Sequence, residues 1–214
     1  KDQSTTSGRK PIFLSFPSHP LTACGIYLSR RAANGCLLTA AGEMVHRQSI
    51  PLSADESVQT LSDKICLLAN SLMIEGKNYP LVGIGIGAIG PVDTDQGVLL
   101  NPPAFYGIHN FPLISALKKQ TKLPVFLDND MNASALAEMY FGCCKETKDF
   151  IYIGVTYGIG AGIVSGGRLL MGEGGVTGEI GHTTMDINGS LCPCGSRGCL
   201  ELYADAKNTA AYYT

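Results

Sequence analysis

Four residues near the end of the chain carry the most specific chemistry: His182, Cys192, Cys194 and Cys199. Three thiolates and one imidazole at this spacing suit a closed tetrahedral zinc site. Gly195 and Gly198 let the backbone between the cysteines turn tightly enough for the sulfurs to converge. With every position around the ion filled by protein, no place remains for a catalytic water, so such a metal would be structural and would pin a loop. The plainer alternative is three free thiols beside an unrelated histidine. If one ring nitrogen of His182 holds the metal, the other can face a cleft and hydrogen-bond a ligand. Glu179 lies just before His182, and Glu201 just after Cys199. Two carboxylates and an imidazole around one rigid turn suit a polyhydroxylated ligand such as a sugar. Read alone, they fit solvated charges beside a metal loop equally well.

Asp130 is the second candidate. In Leu127-Asp128-Asn129-Asp130-Met131 a buried strand hands over to a helix. A carboxylate there can accept a hydroxyl proton, although the helix dipole is expected to hold it anionic and make it a weak base. Asn129 beside it offers both a donor and an acceptor. Plain helix capping by Asn129 or Asp130 is the competing explanation. A third feature, Gly158-Ile159-Gly160-Ala161-Gly162, is read as a glycine loop after a strand that could approach a phosphate or a sugar closely. It opens no obvious helix, so it argues only weakly for a dinucleotide fold. The sequence contains no GxxxxGK[ST] phosphate loop.

The elements that must position these residues follow from periodicity. Three β-like runs, at 22–28, 35–39 and 44–49, fit antiparallel hairpins. Ser53 followed by Glu56 has the capping-box spacing and is expected to open a long helix. Val58, Leu61, Ile65, Leu68 and Leu72 give that helix one apolar face, and Gly76 its stop. Buried strands are expected at 81–86 and 125–127, with a short helix between them. The helix that begins near Asp130 is expected to bury Ala133, Leu136, Ala137 and Tyr140 and to end at Gly142. The polar stretch 145–149 reads as a domain boundary. Strands then restart at 151–156, 161–165 and 168–170, and a last helix is expected over 201–213.

Composition narrows the function classes. The chain has 214 residues, 16 Lys and Arg against 18 Asp and Glu, and a net charge of −2. That balance argues against direct grip on a polyanion. Hydrophobic residues reach 45%, with charged residues at 16%, so a disordered chain is excluded. No window reaches the run of about 18 apolar residues that a membrane span needs. Residues 1–10 lack the apolar core of a secretory signal. The uneven placement of the eight cysteines, three of them crowded at 192–199, points to a reducing cytoplasm rather than a secreted disulfide framework.

Taken together, GIGIGAIGPVD, LPVFLDNDMNASALAE, YGIGAGIVSGGRLLMGEGGVTGEIGH and CPCGSRGCLE resemble, in order and spacing, the ROK family of sugar kinases and sugar-responsive repressors. The resemblance implies an α/β protein of actin-like ATPase, ribonuclease H-like fold, with two α/β domains around a sugar and nucleotide cleft. It divides the chain into a linker (1–20) that follows a DNA-binding domain lying outside this sequence, an N-terminal α/β domain (21–143) and a truncated C-terminal α/β domain (144–214) with the zinc loop. By resemblance, Gly90, Asn129, Asp130, Glu179, His182 and Glu201 fall on sugar-binding positions, and His182, Cys192, Cys194 and Cys199 on zinc ligands. Gly8-Arg9-Lys10-Pro11 resembles the linker that follows a winged helix-turn-helix in the repressor branch.

The departures from the family pattern fall on nucleotide binding. In the first hairpin, Tyr27 stands in place of an acidic residue, Arg30 in place of a glycine and Arg31 in place of a threonine of the phosphate turn. The second phosphate turn reads Thr156-Tyr157-Gly158, and Pro103 stands where a cleft asparagine is common. The resemblance therefore implies a sugar-sensing effector domain of a transcriptional regulator, with structural zinc and without ATP and magnesium. Its partners would be a sugar or sugar phosphate, DNA through a segment outside this chain, and a second copy in a homodimer or higher oligomer. The alternatives are an ATP-dependent sugar kinase with Asp130 as base, and an interaction domain whose cleft has lost its ligand.

Overall fold

A computed structural model describes residues 20–103, 105–172, 176–205 and 209. Strand β1, Thr22–Leu28, alternates buried and part-exposed side chains, as a strand packed on one face must. It pairs antiparallel with β2, Ala32–Thr39, which pairs in turn with β3, Met44–Pro51. Helix α1, Val58–Glu75, lays Leu61, Ile65, Leu68 and Leu72 across this sheet, each fully buried. β4, Leu81–Ala88, then returns parallel to β1. A small hairpin of β5, Val92–Asp93, and β6, Val98–Leu99, follows, then α2, Leu113–Lys118. β7, Val125–Asn129, lies parallel to β4, giving the five-stranded order β3-β2-β1-β4-β7. Cys24, Ile26, Leu28, Ile84, Ile86 and Leu127 meet α1 and α2 in one continuous core.

Helix α3, Asp130–Tyr140, leaves β7 directly. It leans on a second, three-stranded antiparallel sheet of β8, Phe150–Val155, β9, Ile159–Ser165, and β10, Arg168–Leu169. The contact is close because the strands are glycine-rich. A β-carbon on Gly162 would lie 2.3 Å from the Met131 carbonyl oxygen, and one on Gly154 would lie 2.3 Å from the Met131 sulfur. After β10 the chain reaches a 3-10 turn, Ile180–His182, and then the short helix α4, Glu201–Ala204.

Several expectations shift. Helix α1 starts at Val58, because Ser57 and Thr60 form the capping box that the Ser53–Glu56 spacing had suggested upstream. The α3 face expected at Ala133, Leu136, Ala137 and Tyr140 is not the buried one. Asn132 and Ala135 are buried, and Tyr140 is 63% exposed, because the helix is packed from two sides rather than one. Residues 159–162 are strand β9 and not a loop: Gly160 and Gly162 make room for Met131 of α3, while Gly158 to Ala161 also line a hollow between the sheets. Helix α4 ends at Ala204, where Asp205 turns extended. Residues 1–19 of the expected linker (1–20) and most of 206–214 lie outside the described residues.

Glu56 has a role the spacing alone did not give. Glu56 is 5% exposed, and its carboxylate accepts from the Ser53 amide and hydroxyl, the Thr60 hydroxyl and the Lys64 ammonium. Burial alone would raise its pKa, but the bonds from Lys64, Thr60 and Ser53 win and pull it down to about 2. A depressed folded pKa contributes stability above the ordinary carboxylate range and loses it as pH falls toward 2. Glu56→Ala is therefore expected to cost about 2 kcal/mol at pH 7 in urea unfolding, with the difference from wild type closing toward pH 2. An equal difference at both pH values would refute this account.

Candidate functional site

The α3 N-terminus lies where the two sheets meet. Asn129 caps the helix: its Oδ1 accepts from the amides of Met131 at 2.8 Å and Asn132 at 3.4 Å. Its amide nitrogen is left for the cleft, where it faces Gly90. A β-carbon on Gly90 would lie 2.6 Å from Asn129 Nδ2 and 3.2 Å from Glu179 Oε1, so no larger residue fits there without displacing both. Behind Asn129, Asp128 accepts from Asn132 Nδ2 at 2.9 Å and from the Asn129 amide at 2.7 Å, which braces the junction.

Asp130 opens the helix but does not behave as a simple dipole-stabilised anion. Burial is the largest influence, and with Glu179 nearby it outweighs the Met131 amide and Arg30, lifting the pKa to about 6. The expectation of a firmly ionised, weak base is thereby corrected: desolvation beats the helix N-terminus. Across the cleft, Glu179 precedes the 3-10 turn and is also raised, by burial first, with His182 opposing and Glu201 reinforcing. Glu201, the first residue of α4, accepts from the Ile159 amide at 3.4 Å. Asp130, Glu179, His182, Glu201, Asn129 and Gly90 all line one hollow of about 290 Å³ between the sheets. That is the small end of ligand-pocket sizes. A broader hollow of about 1320 Å³ lies over the open face of the five-stranded sheet, but the convergent acids and imidazole are in the smaller one.

His182 belongs to both the cleft and the cysteine cluster. Its Nε2 is 3.9 Å from Glu179 Oε2, and its Nδ1 is 3.7 Å from Cys192 Sγ. The ligand atoms of His182, Cys192, Cys194 and Cys199 all lie within 4.8 Å of one another, and Cys194 and Cys199 Sγ are 3.7 Å apart. A zinc–sulfur bond of about 2.3 Å gives a tetrahedral S···S edge of about 3.8 Å, so the cluster has the dimensions of a metal site. Gly198, at φ +60, makes the closing turn possible: a β-carbon there would lie 1.8 Å from the Asp186 oxygen. Burial pushes the Cys199 thiol up to about 12, whereas the Ser196 amide draws exposed Cys194 down to about 7. Three thiolates can coexist here only beside a cation.

The first hairpin turn, Ser29 to Arg31, reaches the same pocket. Arg30 donates from Nη1 to the Tyr157 carbonyl at 3.2 Å and from Nη2 to the Pro103 carbonyl at 3.1 Å. The Arg31 guanidinium sits 4.5 Å over the Tyr157 ring. Arg30, Asp128, Asn132 and Met131 were not singled out from sequence as site residues. For Arg30 a signal existed, the replacement of a glycine in a phosphate turn, but not the partner it would find.

A ROK family model matches residues 23–214. The chain is 33% identical over 204 residues to the xylose repressor of Bacillus subtilis, covering 95% of this chain and 53% of the repressor. It is 34% identical over 191 residues to N-acetylmannosamine kinase of Escherichia fergusonii, covering 89% of this chain and 64% of the kinase. A crystal structure of a ROK family transcriptional regulator, a homologue of the E. coli MLC protein, superposes with a TM-score of 0.80 at 30% identity, over 90% of this chain and 48% of that one. The chain thus spans about half to two-thirds of the length of the proteins it matches.

The raised pKa of Asp130 makes a signed prediction. Below pH 4 the group is protonated folded or unfolded and no penalty arises; the penalty grows through pH 6 and is complete above it. Asp130→Asn is expected to stabilise the protein by about 2 kcal/mol at pH 8 and by little at pH 4, read from urea melts at the two pH values. A gain independent of pH would contradict the burial argument.

Proposed function

Because the chain belongs to the ROK family, we propose that it is the sugar-sensing effector region of a ROK-type transcriptional regulator, a repressor of sugar-utilisation genes. The reading is carried by an asymmetry in the cleft. The polar groups that suit a sugar converge on one pocket, while the turns that suit a nucleotide's phosphates are occupied by Arg30, Arg31 and Tyr157. Sugar hydroxyls donate to the carboxylates of Asp130, Glu179 and Glu201 and accept from Asn129 Nδ2. A sugar or sugar phosphate bound there favours one closure of the two sheets. It can alter DNA binding only by its different affinity for the two states. DNA contacts come from a segment outside this sequence, in a cytoplasmic homodimer or higher oligomer. Among the described residues no helix is long and apolar enough to cross a membrane.

Zinc held by His182, Cys192, Cys194 and Cys199 fits the dimensions of the cluster and serves as a structural brace. Bound there, it fixes the imidazole so that Nε2 faces the pocket. A second reading, an ATP-dependent sugar kinase with Mg-ATP as phosphoryl donor, has one observation in its favour. Burial lifts the Asp130 carboxyl to about 6, which suits a base that takes a hydroxyl proton. The kinase among the similar proteins keeps that reading open to test.

Three measurements decide. In a monosaccharide panel on the full-length protein, the cognate sugar at a hundredfold excess over its Kd should stabilise by about 2.7 kcal/mol. ATP-coupled phosphorylation should stay at background, and robust turnover would replace the regulator with the kinase. Metal analysis should find about one zinc per chain, lost on Cys194→Ala and released as acid protonates the thiolates. A protein that is metal-free as purified would remove the brace from the account.

A further inference from the structure

Two turns from different sheets meet at the mouth of the pocket. The first, between β1 and β2, holds Arg30 and Arg31; the second, between β8 and β9, holds Thr156 to Gly158. Arg30 is held at its backbone and at its guanidinium tip. The Tyr106 hydroxyl donates to its carbonyl, and its two terminal nitrogens reach the carbonyls of Tyr157 and Pro103. Arg31 adds a cation–π contact to the Tyr157 ring, the kind of stacking a lysine makes poorly. Gly158 is packed between the two walls: a β-carbon there would lie 3.0 Å from Glu201 Oε2 and 3.7 Å from Arg30 Nη1. Arg30 Nε is buried and has no hydrogen-bond partner among the described residues, so the guanidinium is placed for its two terminal bonds rather than for full satisfaction.

We propose that Arg30 and Arg31 form a resident clasp that ties the β8–β9 turn to the β1–β2 turn and so fixes one wall of the sugar pocket without any nucleotide. A phosphate chain between two such turns would bridge them by accepting from both. Here the Arg30 guanidinium bridges them by donating to the Tyr157 carbonyl, with the polarity reversed, while its second bond, to the Pro103 carbonyl, holds the group in position. Arg30 and Arg31 are thus positioning residues. Neither needs to touch the sugar, and their effect reaches it through Gly158, Ile159 and the Glu201 carboxylate that accepts from the Ile159 amide.

The clasp itself can be tested without a ligand; only its effect on affinity rests on the sugar-sensing reading. Hydrogen–deuterium exchange on the full-length protein, without sugar, should show at least tenfold faster exchange at residues 156–160 in Arg30→Ala, with the α1 amides at Leu61 to Leu72 unchanged. Arg31→Ala should give a smaller rise. Arg30→Lys should not restore protection, because one ammonium cannot serve both carbonyls in the same geometry. Unchanged exchange at 156–160 in Arg30→Ala would overturn the clasp, as would a rise shared equally by α1, which would mark general destabilisation. With the sugar identified by the monosaccharide panel, Arg30→Ala should weaken its binding about tenfold, whereas unchanged affinity would overturn the link from clasp to pocket. If wild type binds no sugar in the panel, the sugar-sensing reading fails, while the exchange result still judges the clasp.

Discussion

The close approach of α3 to β8 and β9 is the contact on which the cleft depends. Met131 lies against Gly154 and Gly160, and its carbonyl meets Gly162 where no β-carbon could stand. Because the helix can come that near, its first residues reach the boundary between the two sheets. Asn129 and Asp130 are presented to the same hollow as Glu179 and Glu201. A larger side chain at Gly162 would push the helix away and widen the hollow from behind, without touching a polar group in it. The polar site is therefore set by an apolar packing distance.

That geometry also sets the electrostatics. Three carboxylates face a small volume, and two of them, Asp130 and Glu179, are raised chiefly by burial. A polyhydroxylated ligand is the natural complement, because hydroxyls donate to carboxylates without bringing a countercharge that must itself be desolvated. Arg30, held by backbone carbonyls, tempers the negative field from one side, and His182 stands on the other, between Glu179 and the cysteines. With Asn129 Nδ2 beside the carboxylates, the site offers hydrogen bonds in both directions.

How much of this could be read from the sequence depends on how local each feature is. The cysteine–histidine cluster was legible because its residues are close along the chain and their chemistry is specific. The apolar face of α1 was legible because Leu61, Ile65, Leu68 and Leu72 meet a single sheet, where periodicity and burial coincide. α3 misled because it is wedged between two sheets, so its buried stripe runs through Asn132 and Ala135 rather than along its most apolar face. The glycines of β9 lie in a strand rather than a loop, and composition could not say that the same run would both line the hollow and make room for a helix. Asp130 stands at the strand-to-helix junction as expected, but its ionisation does not follow the helix dipole, since burial is a property of the assembled site. Arg30 could be seen as a departure, but Tyr157 and Pro103, its partners, lie far along the chain and no local pattern links them to it.

The location of the cysteine cluster bears on the order in which the molecule assembles. All four of its ligands fall within residues 182–199, whereas the pocket draws on positions from Arg30 to Glu201. Closing a short loop costs little chain entropy, and long-range contacts are slower to find. A cation captured by the cluster would therefore organise the 182–199 segment while the sheets were still apart. Glu201 and the His182 ring would then arrive at the forming cleft already set at a fixed distance from each other. The late, slow step would be the meeting of the two sheets, and one wall of the pocket would enter it as a finished part.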